Sequence, residues 1–346
     1  MMSGVAVAAV GEYAVRAGEA VLMPLDRLRL ALLRALGPVG RCLVRDRELR
    51  VGLAGSIAVL TALAGSLLVP WWMLALGPAL IGVPHILADV RYLVTRPGLH
   101  RRWSFWLLVG VPVVATAFGA GMRAGGLALV GASLAARGAG WGWRGVALLG
   151  GVGLAACGFV WPYWTDLAFA HGHNLIAVLL WWAWRPRRAG WHFIPIALFL
   201  GALAVLFFAP IDGLYRRAFF WWAPTGLDAH VQVPWLAWGL PGDLAVRATL
   251  SFAFAQAVHY AVWLRLVPED DRGRDTPRSW AASLRALRED VGLPLLLLAA
   301  LAAFTFATWA LFDLAAARNT YLRVGLFHGH MELAAYAWVM LERRRW

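Results

Sequence analysis

The chain has 346 residues, 61% hydrophobic and 15% charged, with a mean hydropathy of +0.64. A soluble domain carries about 45–50% apolar and about 25% charged residues, so these values exclude an ordinary soluble domain and indicate an all-α, polytopic integral membrane bundle. The net charge of +13 falls in the gaps between apolar runs, which fits the positive-inside rule rather than a nucleic-acid footprint, and no nucleic-acid partner is expected.

Residues 1–50 carry Arg16, Arg27, Arg29, Arg34, Arg41, Arg45, Arg47 and Arg50 among Leu, Val and Met. They predict a basic amphipathic region lying on the cytoplasmic membrane face, with a solvated basic arm as the alternative. The first apolar stretch, Val5–Val10, is short and runs into Glu12, unlike a secretory signal. Residues 51–346 then form a single transmembrane domain.

A crossing needs about 20 mainly apolar residues. Segments of that kind fall near 51–69, 72–94, 103–122, 125–136, 145–161, 166–184, 190–210, 244–266, 291–314 and 321–341. The fourth is short and suits a re-entrant element, so about eight to ten helices are expected. With the N-terminus inside, alternation places Arg96 to Arg102, Arg137 to Arg144, Arg185 to Arg188, the polar loop 268–290 and the tail from Glu342 on the cytoplasmic side. Both termini are then cytoplasmic, in a bacterial inner (plasma) membrane. The outer loop 211–243 holds Trp221, Trp222, Trp235 and Trp238, either a lid or an interfacial aromatic belt. Cys42 and Cys157 form no CxxC unit, which argues against an iron–sulfur cluster, covalent haem or a disulfide scaffold.

Six of the nine histidines fall inside expected spans: His85, His171, His173, His259, His328 and His330. Two pairs form Phe-Ala-His171-Gly-His173 and Phe-His328-Gly-His330 units. Ionisable groups at membrane depth are expensive and functional by default. His85, His173 and His330 lie 11–12 residues before the charged ends Arg96, Arg185 and Glu342, about 16–18 Å of helix rise. That is the middle of a core about 30 Å thick; His259 sits nearer the cytoplasm. Neutral imidazoles with few carboxylates and no thiolates suit iron or copper, and less specifically zinc. Asp89 shares a helix face with His85, and Glu332 with His328, so each carboxylate is placed as a ligand or a ring-orienting partner. Residues two apart point about 200° apart on a helix, so each His-Gly-His unit either aims only one ring at a shared ion, bends at Gly172 or Gly329, or serves two metals. Singly, each histidine is more often an interhelical hydrogen-bonding residue; the common depth favours a shared site.

Gly82-Val-Pro84-His85-Ile-Leu-Ala-Asp89 resembles the GxPHxxxD signature of the Brp/Blh β-carotene dioxygenase family, over about eight residues, with Ile86 where that family has Gly. The resemblance implies a polytopic membrane protein whose histidines hold a non-haem iron. It carries over His85 and Asp89 by motif, and His171, His259 and His328 by placement.

The expectation is a membrane-embedded, histidine-ligated metalloenzyme, a non-haem iron oxygenase or desaturase-like oxidoreductase, acting on a hydrophobic polyene, carotenoid or lipid drawn from the bilayer. Asp89 and Glu332 are its catalytic carboxylates. The alternatives are a b-type haem electron carrier and a proton or metal-ion transporter.

Overall fold

The computed structural model describes residues 4–138, 140–187 and 190–342, all of whose regular elements are helices. In chain order these are α1 (Gly4–Ala35), α2 (Gly37–Arg45), α3 (Arg47–Leu68), α4 (Pro70–Thr95), α5 (103–120), α6 (Gly121–Ala135), α7 (Trp141–Val160) and α8 (Pro162–Ala183). There follow α9 (Phe193–Phe208), α10 (Asp212–Trp221), α11 (Ala229–Leu236), α12 (Gly242–Asp270), α13 (Trp280–Val291), α14 (Leu293–Phe312), α15 (Leu314–Gly325) and α16 (Phe327–Leu341). Arg188 and the tail beyond Glu342 lie outside the described residues.

Among the described residues, seven helical stretches are long and apolar enough to cross a membrane: α3, α4, Trp103–Ala135, α7, Gly190–Phe208, α12 and α14. Two reasons separate this number from the ten expected segments. The third and fourth segments are the arms of one hairpin. The chain turns at Gly119 and Gly121, both with positive φ, and α6 folds back on α5 so closely that a Cβ on Gly131 would lie 1.9 Å from the Leu108 carbonyl oxygen. The 15 residues of α6 rise about 22 Å, short of a full crossing. Second, α8 carries Asp166, His171, His173 and Asn174, which dilute its hydropathy, and α16 has only 15 residues.

Caps and prolines in the sequence set the helix starts. Asp46 accepts the Leu49 N–H at 2.9 Å ahead of α3; Asp228, Ser279 and Asp313 do the same for α11, α13 and α15. Pro70 and Pro162 occupy first-turn positions of α4 and α8, where a missing N–H costs nothing.

α1 leaves Val21, Leu25, Leu28 and Leu32 about half exposed or more. Their spacing makes one apolar stripe, the pattern of a helix lying on a lipid surface. Its other face holds α13: Asp26 accepts the N–H groups of Trp280 and Ala281 at 2.7 and 3.2 Å, and Arg285 pairs with Glu19 at 2.8 Å. α1 and the loop 268–290 thus share one polar layer. Beneath it, buried Asp270 accepts from Trp181, Arg185 and Arg187 at 2.8, 2.8 and 2.6 Å, and buried Glu269 pairs with Arg50 at 2.5 Å. Arg96–Asp271 and Arg102–Glu342 pairs close the same end.

α4 is the irregular helix. Its regular turns at Gly82–Asp89 lie between two wider π-helical stretches, Gly77–Ile81 and Val90–Thr95. Pro78 lacks the N–H that would bond the Leu74 carbonyl; the Nε of Arg318 on α15 donates to it instead, at 3.3 Å. Further π stretches lie at Trp106–Gly110 and Thr116–Ala120 in α5, and one at Val262–Leu266 follows His259 in α12. One-turn π insertions are frequent at functional sites because each offsets the helix by a residue.

Candidate metal centre

Four helices bring imidazoles together. His85 comes from the regular segment of α4, His173 from α8, His259 from α12 and His328 from the first turn of α16. Ring centroids stand 4.8 Å apart for His85–His328, 5.4 Å for His85–His259, 5.1 Å for His173–His259 and 5.5 Å for His173–His328. The rings meet edge to face. Ligand nitrogens of His85, His259 and His328 all lie within 4.8 Å of one another, and so do ligand atoms of Asp89, His328 and Glu332. Two atoms on one ion with bonds of about 2.2 Å stand at most about 4.4 Å apart, so small side-chain rotations bring these groups to coordination distance. They could hold a metal ion, and His328 belongs to both triads.

Burial is nearly complete: His85, Asp89, His259 and Glu332 are each at most 1% exposed. Yet Nε2 of His85, both nitrogens of His259 and all four carboxylate oxygens of Asp89 and Glu332 are without a partner in hydrogen-bond geometry. Buried polar atoms are ordinarily satisfied, and here the unsatisfied ones face each other. Asp89 Oδ2 lies 4.0 Å from His85 Nε2, and Glu332 Oε1 lies 3.6 Å from His259 Nε2. Two carboxylates at one buried point repel unless a proton or a cation lies between them. A cation would satisfy the whole set.

The backbone fixes which nitrogen is free. Nδ1 of His173 donates to the Ala170 carbonyl at 2.9 Å, and Nδ1 of His328 to the Gly325 carbonyl at 2.5 Å. A carbonyl only accepts, so in the neutral ring the proton sits on Nδ1 and the lone pair on Nε2. His85 is held on the other side by the Tyr321 hydroxyl, 3.4 Å from its Nδ1. Gly82 makes room for that tyrosine: a Cβ there would lie 2.3 Å from Tyr321 Cζ. Tyr260 packs its ring 4.6 Å from His85, in space left by Gly77.

The two remaining histidines lie elsewhere. His171 faces away, its Nε2 2.7 Å from the Leu236 carbonyl and its ring against Phe252; it ties α8 to α11. His330 donates from Nδ1 to the Leu326 carbonyl at 3.0 Å and stacks on Phe169, in space left by Gly125. α8 runs unbroken through Gly172, and the break in the last segment comes at Leu326, before the second unit. The i, i+2 geometry holds in both units, so the two rings of each point to different neighbours; His330 still lines the cavity, its Nε2 buried and unpartnered.

No protein-family model matches this chain, and no curated protein or solved structure shows significant similarity to it.

A cavity of about 620 Å³ adjoins the cluster, with His173, His259 and His328 in its wall. α11 of the Trp-rich loop forms another side through Gln232, Trp235 and Leu236. Exposed Gly119, Trp235, Arg323 and Leu326 mark its mouth. Sequence reasoning passed over Tyr321 and Arg318, because the last span was expected to begin at 321.

Proposed function

We propose that the chain is a membrane-embedded, histidine-ligated metalloenzyme, a non-haem iron oxygenase or desaturase-like oxidoreductase acting on a hydrophobic substrate. The observation that carries this reading is the convergence of ligand nitrogens of His85, His259 and His328, with His85 Nε2 and both His259 nitrogens buried and unpartnered, beside a cavity that His259 and His328 line and that is large enough for a small molecule. The GxPHxxxD resemblance at Gly82–Asp89 supports it independently, and on that likeness a polyene or carotenoid is the first substrate class to try.

His85, His259 and His328 would hold the metal, with His173 beside them. Bound iron would supply activation of dioxygen. The chain's own residues do the rest. Gly325, Ala170 and Tyr321 orient the rings of His328, His173 and His85, so only small rotations are needed on binding. Asp89 and Glu332 are placed to hold a proton at carboxylate oxygens facing His85 and His259. The surrounding Trp263, Tyr260 and Tyr321, all buried, keep bulk water from the reacting atoms.

Four imidazoles around one point favour a bare ion over a porphyrin, which needs a flat slot between two axial rings. The same reading puts the arginine-rich end, with Arg96, Arg102, Arg185 and Arg265, in the cytoplasm of a bacterial plasma membrane. Cysteines introduced at exposed Arg101 and exposed Trp222 should react with an impermeant reagent from opposite sides; labelling from one side only contradicts this topology.

Elemental analysis of purified protein should find close to one iron, copper or zinc per chain, with His259→Ala and His328→Ala reducing it to background. Metal far below stoichiometry in the unsubstituted chain sinks the proposal. A strong Soret band would replace it with the haem alternative, and metal flux across liposomes without turnover would replace it with transport.

A further inference from the structure

Arg318 on α15 is 6% exposed, and its hydrogen bonds all go to neutral acceptors. Nε donates to the Leu74 carbonyl at 3.3 Å, and Nη1 donates to Gln232 Oε1 and Asn319 Oδ1, both at 2.9 Å. Nη2 makes no hydrogen bond, and the side chain lines the same cavity as the histidines. Among the described residues, other buried arginines such as Arg50, Arg91 and Arg187 face a carboxylate. An uncompensated buried charge is destabilising, and the N–H groups of Nη2 are left for a charge-assisted hydrogen bond to a carboxylate.

Position matters as much as charge. Arg318 precedes Tyr321 by three residues, about 4.5 Å of helix rise, and the Tyr321 hydroxyl lies 3.4 Å from His85. The cavity's acidic residue, Asp166, is already engaged by the Met122 N–H at 2.7 Å. Arg318 shares the cavity wall with His328, His173, Phe169 and Leu167.

We propose that Arg318 is the anchor for an anionic head group, and that the cavity takes a long-chain carboxylate whose hydrocarbon tail passes the histidine cluster. One buried cation matches one singly charged carboxylate; Gln232 and Asn319 hold the guanidinium plane toward it. This deepens the metalloenzyme reading by naming the substrate class of its cavity, but the binding itself requires no metal.

The experiment uses the full chain in nanodiscs of zwitterionic phospholipid, with and without prior stripping by a chelator, and measures binding of radiolabelled oleate and methyl oleate. Oleate should bind at least tenfold more tightly than the ester in both preparations, and Arg318→Gln should remove that preference while leaving the ester unchanged. Arg318→Lys should restore part of it, since the charge is kept while the bonds that hold the guanidinium in place are lost. Equal binding of acid and ester by the unsubstituted chain overturns the proposal and needs no variant to interpret. Because the stripped protein is assayed too, loss of the metal reading and loss of this one are separate results.

Discussion

At the scale of single residues, backbone carbonyls of Ala170 and Gly325 set the tautomers of His173 and His328, and the Tyr321 hydroxyl lies beside His85 Nδ1. Tyr321→Phe removes the hydroxyl beside His85 Nδ1 and keeps the ring that packs there. Loss of such an orienting partner weakens metal binding about 10-fold or more, so equilibrium dialysis should show that fall with the fold unchanged by circular dichroism. His171→Ala should behave oppositely: full metal content, and about 1 kcal/mol of stability lost with the bond to Leu236. Sequence spacing alone allows the choice between His171 and His173 to go either way, because two residues 200° apart have no absolute direction until a neighbouring helix supplies one. Phe252 and the Leu236 carbonyl supply it here. Depth was legible from the distance to charged ends; azimuth was not.

Among the helices, the π stretches at 77–81, 90–95 and 262–266 set the phase of α4 and α12 around the cluster. Each α-helical residue turns about 100°. Deleting Leu80 should therefore swing one part of α4 about 100° relative to the other and separate His85 from His259, abolishing metal retention. An exposed point substitution there, Leu80→Ala, should leave it near the original level; Leu80 is 48% exposed. At the polar end, Asp270→Asn leaves Arg185 and Arg187 short of a buried partner, and a loss of about 3 kcal/mol is expected in denaturant unfolding. The short helix α10 is tied by pH instead. The Tyr215 hydroxyl donates to Asp212 at 2.6 Å with Arg247 nearby, and these hold the Asp212 carboxyl below the ordinary carboxylate range. A depressed acid contributes stability above its unfolded pKa, about 3.9, and loses it as pH falls through the folded value. Amide exchange in α10 should accelerate at low pH, and Asp212→Asn should remove that dependence. The hydropathy that marks α3, α9 and α14 is weakest in α8, since the side chains that build the cluster are the ones that dilute it. α4 and α12, which carry His85 and His259, still stand among the seven apolar crossings.

For the whole molecule, an ion held by four helices stabilises the folded state over every state in which those helices separate. At a free concentration one hundred times its dissociation constant it adds about 2.7 kcal/mol, so chelation should lower the thermal midpoint in detergent and metal should restore it. A midpoint indifferent to chelator, in protein proven to lose its metal, contradicts a bridging ion. The cluster also has an order of assembly. Its contributors run from His85 to Glu332, and synthesis delivers α4 first and α16 last. Until α16 docks, His85 and Asp89 wait in the hydrocarbon layer without the groups they will face, an expensive interval in which the nascent chain is exposed to quality-control proteases. Closure is thus timed by the arrival of Phe327–Leu341. A chain halted before that helix should be cleared from the membrane faster than a complete one whose His328 alone is replaced.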